Sequence, residues 1–427
     1  MDIAIIGSGI SGLSCAYLLN KQHNVQVFES ANRIGGHTAT IDIKHEGKEY
    51  NIDTGFIVYN DWTYPNFIRL METLNIQSKA TEMSFSVSCQ RTGLEYGGNN
   101  LDTLFAQRKN ILNLPFLRML KDILKFNKEA INDLESGHFN DSLTLGEYLK
   151  SKEYSAKFAS HYLVPMGSAI WSSTLDEMLD FPIIFFVRFF KNHGLLSVNE
   201  RPQWRVIKGG SSAYLQPLIE DFVGSIKTNT NIVSVERKKN GVFIKFREGS
   251  SENKRDSPVK MERFDEVVFA CHSDQALALL GKDASPLETK LLNKIPYRQN
   301  EVVLHTDETI LPKNKKTWSS WNYHLGEDVT LPAALSYNMN ILQGLESETT
   351  FIVTLNNTDR IDPQKILGTY HYSHPVFTLD GINTQKRWSE INGVNKTWFC
   401  GAYWHNGFHE DGCVSGIRVA EKLGVNW

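Results

Sequence analysis

Two groups of residues combine types and spacings suited to chemistry. Gly7-Ser8-Gly9-Ile10-Ser11-Gly12 follows an apolar run, Asp2 to Ile6, and precedes a run of helix formers, Leu13 to Leu19. In such a strand, turn and helix, Gly7 permits the tight turn, Gly9 lets backbone approach a pyrophosphate, and Gly12 lets the helix pack on the strand. The free N–H groups and dipole of the helix then hold phosphate. A second apolar run, Val25 to Phe28, ends in Glu29, seventeen residues past Gly12. A carboxylate there can accept hydrogen bonds from both ribose hydroxyls of an adenine dinucleotide, and it disfavours a 2′-phosphate. The second group, Tyr403, Trp404, His405, His409, Glu410 and Asp411, lies near the other end of the chain. A histidine suits proton transfer, and a carboxylate beside it can fix its tautomer. Tyr403, His405 and His409 are therefore the candidate catalytic residues. The alternative is that His409, Glu410 and Asp411 merely cap the final helix, Val414 to Leu423, and hydrogen-bond the cofactor, and it is the commoner reading for Glu410 and Asp411.

After Glu29 the chain runs Ser30-Ala31-Asn32-Arg33-Ile34-Gly35-Gly36-His37-Thr38, which resembles the Arg-x-Gly-Gly extension of the flavin-containing amine oxidase superfamily. The resemblance implies FAD, with the extension wrapping its pyrophosphate and ribityl chain; NAD-dependent dehydrogenases usually lack it. It assigns Gly7, Gly9, Gly12, Glu29, Arg33, Gly35, Gly36, His37 and Thr38 to the cofactor. It adds Gly55, in a segment Asp53-Thr54-Gly55 like one beside the flavin in the superfamily, with an ordinary turn as the alternative. It adds Val233, where superfamily backbone pairs with the adenine edge. It also adds Gly401, Asp411 and Val414, in a last strand, glycine loop and helix whose N-terminus points at the flavin. The implied fold is α/β, a Rossmann-like FAD-binding domain interleaved with an α+β substrate domain. The first takes residues 1–60, 203–275 and 385–427, and the second 61–202 and 276–384.

Periodicity predicts helices over Asn66 to Leu74, over Leu101 to Leu134 with a break at Pro115, and over Leu175 to Phe190. It predicts strands at Met83 to Ser88, Glu301 to His305, Leu331 to Asn338 and Thr350 to Leu355. Gly249 to Lys260 is polar and reads as a surface loop.

A length of 427 residues exceeds the ~250–300 at which one core stops growing, so two domains are expected. A net charge of -3 provides no electrostatic footprint for nucleic acid. The five cysteines form no C-x-x-C pair, which argues against a disulfide framework and a zinc site, and no metal is expected. The first strand begins at the second residue and no run approaches ~18 apolar residues. A cytoplasmic protein is expected, with peripheral contact to the inner membrane face left open. A second G-x-G-x-x-G is absent, so oxygen, a quinone or the substrate itself is expected to close the redox cycle.

The longer strings Arg201 to Arg205, Val302 to Asp307, Trp321 to Tyr323 and Gly407 to Gly412 resemble one bacterial subgroup of the superfamily. That subgroup is often encoded beside cyclopropane-fatty-acid-synthase-type methyltransferases, which implies a lipid-related setting and a lipid-modifying methyltransferase as partner. Many amine oxidases carry a lysine that holds a water near flavin N5; the corresponding segment here offers Asn300 or Glu301. The aromatic run Phe181 to Phe190 reads as a core helix, as the lining of an acyl tunnel or as a segment that rests on a bilayer. Basic residues from Arg108 to Lys128 interleave with Leu112, Leu114, Leu120 and Leu124, as a solvated helix face or a contact with anionic lipid. Three functions follow in order. They are FAD-dependent oxidation, desaturation or isomerisation of a fatty acyl or other lipid substrate; oxidation of a small or lipid amine with peroxide as product; and a flavin-stabilised, noncatalytic partner of a lipid-modifying enzyme.

Overall fold

The computed structural model describes the chain except residues 141, 172, 198–199, 250–256 and 327–333. Its central element is a parallel sheet of five strands in the order Ile226–Lys227, Asn24–Phe28, Asp2–Ile6, Glu266–Phe269 and Thr397–Phe399. Asp2–Ile6 lies in the middle, which explains its unbroken apolar sequence: Ile3, Ala4 and Ile5 are buried on both faces. The helix Ile10–Leu19 follows directly and packs against the C-terminal helix His409–Lys422. The ends of the chain thus meet on one face of the sheet.

The second layer is a mixed seven-stranded sheet, ordered Ile366–Pro375, Tyr297–His305, Ile352–Leu355, Ala334–Asn338, Trp321–Leu325, Phe85–Cys89 and Leu94–Gly97. The predicted strand at Leu331 to Asn338 is described only from Ala334, its first three residues lying outside the described set, as does most of the predicted loop at Gly249 to Lys260. Helices cover this sheet. Pro115 does not break a helix but opens one, Leu114–Glu135, where its missing N–H costs nothing. The helix expected over Leu175 to Phe190 is two, Leu175–Leu179 and Ile183–Asn192, parted at Pro182. The aromatic run is mainly core: Phe181, Phe186, Phe189 and Phe190 are buried, and Trp171 lies 4.7 Å from Phe181 and 4.8 Å from Phe189. Phe185 alone of these phenylalanines is only partly buried, stacked on Phe377 at 5.5 Å. Among the described residues no helix is long and apolar enough to cross a membrane.

A buried ionic cluster joins the antiparallel hairpin layer to the neighbouring helix Pro286–Leu292. Arg237, on the strand Thr230–Lys238, donates to Asp283 at 2.7 Å and to Glu288 at 2.6 and 3.0 Å. The Arg237 and Glu288 side chains are 6% and 2% exposed, so removing the cation leaves a carboxylate without its counter-charge. Arg237→Ala is expected to cost ~3–5 kcal/mol in urea denaturation. A loss below ~1 kcal/mol, the value of a surface pair, would contradict the buried assignment.

Candidate cofactor and substrate site

The glycine turn separates what the chain needs from what a ligand needs. A Cβ on Gly12 would stand 2.0 Å from the Gly7 carbonyl oxygen, so Gly12 is required by the packing of helix on strand. Gly9 differs: its φ of −69° and ψ of 178° suit any residue, and a Cβ there would meet nothing within 4 Å. Gly9 is also the N-cap of Ile10–Leu19, which has no side-chain cap. Open space beside uncapped helical N–H groups is what a pyrophosphate requires.

Glu29 is held at the mouth of this turn, accepting from the Ser8 N–H at 3.1 Å, the Ser8 hydroxyl at 2.5 Å and the Ala31 N–H at 2.8 Å. The extension lies against the turn through Gly35 N to Ser8 O, 2.9 Å. Arg33 stitches the loop, donating to the carbonyls of Gly36 at 2.8 Å and Thr38 at 3.1 Å. Gly55 is a close approach: a Cβ would lie 2.1 Å from the His37 carbonyl oxygen, which accepts from the Phe56 N–H at 2.8 Å. Val233 sits at a register shift between Ile232 and Ser234, and no residue of the neighbouring strand is paired with it. Gly401 donates its N–H to the Ser415 hydroxyl at 3.0 Å, and Val414 is partly buried on the C-terminal helix.

The catalytic candidates do not form one constellation. His409 is enclosed by aromatic rings, stacked on Phe56 at 3.7 Å, with Nε2 2.8 Å from the Tyr214 hydroxyl. That hydroxyl lies 2.7 Å from Thr38 Oγ1, so a buried chain of hydrogen bonds runs Thr38, Tyr214, His409. Burial lowers His409 to about 3. Burial and the engaged Nε2 both count against a base and fit the alternative in which His409 is a hydrogen-bonded structural residue. Tyr403 is buried on the turn Ala402–Trp404 with burial pushing its pKa up, and its hydroxyl has no hydrogen-bond partner. His405 is lowered by burial and then by Arg418, and its Nε2 is likewise unpartnered. Neither makes a hydrogen bond or ring contact with His409 among the described residues.

The two acids are caps, though not both of the same helix. Asp411 accepts from the Phe408 N–H at 2.9 Å at the start of its own helix. Glu410 reaches across to another, Pro65–Thr73, accepting from the Asn66 N–H at 3.1 Å and the Phe67 N–H at 2.8 Å. Both border a cavity of ≈ 360 Å³ with Trp62, Tyr64, His193 and Phe408.

A second cluster joins His37 and Asn300, which the sequence singles out, to His272, His374 and Asn356, to which it assigns no role. His37 is 5.2 Å from His374 and 6.4 Å from His272 between ring centroids, and His37 Nε2 is buried without a partner. Of the two candidates for the lysine position, Asn300 points inward and is fully buried, whereas Glu301 faces Thr358 and His371 at the surface. Asn300 belongs to an oriented chain. The Glu301 N–H donates to Asn356 Oδ1 at 3.0 Å, so Asn356 Nδ2 donates to Asn300 Oδ1 at 2.8 Å, and Asn300 Nδ2 donates to His374 Nδ1 at 2.8 Å. Burial lowers His374 to about 4, so the ring is neutral and its single N–H is on Nε2. The signal available in sequence was period two: Tyr370, Tyr372 and His374 share one strand face.

Comparison with known proteins agrees with this geometry. Residues 10–347 match the family of flavin containing amine oxidoreductases. Achacin of Lissachatina fulica is 24% identical over 330 residues, which is 69% of this chain but 57% of achacin, so the chain spans little more than half of that relative. The solved CLA-producing fatty acid isomerase from P. acnes superposes with a TM-score of 0.68 at 14% identity, over 99% of this chain and 98% of the other. Cyclohexylamine oxidase from Brevibacterium oxydans IH-35A gives 0.65 at 15% identity, over 99% of both. These likenesses establish the interleaved α/β fold. The residues present fit FAD: the open cradle at Gly9, the carboxylate of Glu29, and the unpartnered Nε2 of His37 beside the extension.

Two measurements check this site. Gly9→Val is expected to fold with wild-type melting behaviour when both are stripped of flavin, and to retain no flavin on purification; flavin content equal to wild type would make the turn purely structural. Burial raises Asp411 to about 7, so the folded state keeps a proton that the unfolded chain releases above about pH 4. Its contribution to stability is present at low pH and is lost as pH rises through about 7. Asp411→Asn is therefore expected to raise the melting temperature relative to wild type progressively from pH 5 to 8, and a pH-independent offset would contradict it.

Proposed function

Because the chain belongs to the flavin containing amine oxidoreductase family, whose members are FAD-dependent oxidoreductases, we propose that it oxidises, desaturates or isomerises a fatty acyl or related lipid substrate. The observation that carries this reading is the electrical neutrality of the interior beside the extension. His37, His272, His374 and His409 are all pushed down by burial, and Asn300 is the inward-facing candidate for the lysine position. The Arg33 guanidinium, whose charge acts on His37, would repel an ammonium group, and a wall of largely neutral rings favours an apolar chain. The strings shared with the methyltransferase-linked subgroup support the same reading, with a lipid-modifying methyltransferase as the proposed partner. The fold likeness to a fatty acid isomerase is compatible with it.

FAD supplies a hydride acceptor at N5. The chain's own contributions are binding, orientation and exclusion of water. Phe185 stacked on Phe377, and Phe189 on Phe408 at 5.0 Å, wall the substrate side with apolar surface. The Asn356–Asn300 pair fixes the His374 tautomer, so that Nε2 presents a hydrogen-bond donor. The engaged Nε2 of His409 holds the C-terminal helix against the extension.

A second reading, amine oxidation with release of peroxide, is favoured by the cavity that Trp62, Tyr64 and Phe408 share with Glu410, since aromatic faces and a carboxylate attract ammonium groups, Asp411 adding its charge only above about pH 7. The likeness to cyclohexylamine oxidase is compatible with it. Thermal-shift and flavin-reduction titrations with lipids of graded acyl length, beside spermidine and aromatic amines, separate the readings. An acyl substrate gains ~0.8 kcal/mol per buried CH₂, about fourfold in affinity per methylene. Phe185→Asp, at the partly buried phenylalanine of the run, is expected to flatten that dependence. Reduction of the flavin by an amine, with no response to any lipid, would overturn the lipid reading.

A further inference from the structure

We propose that the start of the helix Leu114–Glu135, with the turn before it, is a docking surface for anionic membrane lipid. This does not depend on the identity of the substrate. Leu112, Leu114 and Leu124 are 87%, 76% and 60% exposed, and Ile111 is exposed beside them. Single exposed apolar residues are ordinary, but Ile111, Leu112 and Leu114 project from one short turn where the backbone enters the helix.

Charge identifies the occupant. Leu114, Arg118, Lys121, Lys125 and Lys128 recur at spacings of four and three, and so share one face of the helix. Three of the four acids of that helix are engaged elsewhere, and the fourth, Glu129, lies 4.0 Å from Lys125 of this face besides accepting from Tyr154. Asp122 is buried and accepts from the Ser155 N–H at 2.9 Å, Glu129 accepts from the Tyr154 hydroxyl at 2.8 Å, Asp133 pairs with Lys152 at 2.8 Å, and Glu135 pairs with Lys191 at 2.7 Å. Lys125 donates to the Lys152 carbonyl at 2.8 Å. Arg108, in the preceding turn, pairs with Asp102. That leaves Lys109, Arg118, Lys121 and Lys128 exposed and without an ion pair to any described residue.

An apolar tip ringed by uncompensated cations matches an interface in which leucines enter the acyl boundary and lysines meet anionic headgroups. A soluble protein partner would need acids to match the cations and pockets to take the leucines, whereas a bilayer supplies both demands without a fixed shape. The same helix packs on Ile183–Asn192, whose Phe189 stacks on Phe408 at the cavity, so a chain docked here stands next to the substrate region.

The test is cosedimentation of the flavin-loaded protein with vesicles of phosphatidylcholine alone and of an equimolar mixture with phosphatidylglycerol. Retention is expected on the mixed vesicles only, falling with added salt. Lys121→Gln/Lys128→Gln is expected to weaken it by about an order of magnitude or more, at about fivefold per lysine. Leu112→Ser/Leu114→Ser is expected to abolish it, with flavin content and melting temperature unchanged because these side chains are exposed. No retention on mixed vesicles, or retention unaltered in both variants, would overturn the proposal. A concentration-dependent dimer dissolved by Leu112→Ser/Leu114→Ser, without vesicle binding, would reassign the face to a second copy of the chain.

Discussion

The Tyr214 hydroxyl is the point on which the assembly of the site depends. It touches Thr38 of the extension on one side and His409 of the C-terminal helix on the other, while belonging itself to a third segment of the chain. Asp53 plays a parallel part nearby, accepting from Thr40, from the Ser211 N–H and hydroxyl, and from Gln343. All of these groups are removed from water, so each is costly unless its partners are present together. Segments far apart in sequence are therefore locked in one arrangement by the cost of leaving any one of them unpaired.

Burial also sets the chemistry available. It keeps histidines neutral that would titrate near pH 6.5 in water, and it raises the carboxyls of Asp53, to about 6, and Asp411, to about 7. Neutral imidazoles donate and accept single hydrogen bonds with defined tautomers. In this interior the histidines orient, and the aromatic rings among them exclude water.

What was legible in the sequence was local. The strand, turn and helix around Gly9, the acid at Glu29 and the loop at Arg33 all follow from neighbours within forty residues, and the structure has these elements in that order. The partners of Asn300 were hidden because they come from distant segments, Asn356 just past the strand Ile352–Leu355 and His374 on Ile366–Pro375, and cross-strand register is not readable from one segment. His409 suits proton transfer by type, whereas the groups that enclose it and lower its basicity, the rings of Phe56 and Phe67 and the Tyr214 hydroxyl, come from segments far upstream. Glu410 was read correctly as a cap but for its own helix, since the beneficiary, Pro65–Thr73, lies more than three hundred residues away. The aromatic run was ambiguous for a physical reason: a buried helix is apolar whether it faces a core or a ligand.

The order of strands in the parallel sheet has a kinetic consequence. Asp2–Ile6 pairs with Glu266–Phe269, which pairs in turn with Thr397–Phe399. A growing chain must therefore hold its first strand, and later the open edge at Glu266–Phe269, until strands made much later arrive. Such contacts carry a large loop-closure cost and leave apolar edges exposed meanwhile. The helix His409–Lys422 reaches the glycine turn only when residues beyond 397 have emerged, so the two halves of the cradle, widely separated in sequence, come together late. A cofactor that binds across them would act as a late staple, converting a slow, reversible closure of the chain ends into a lasting one.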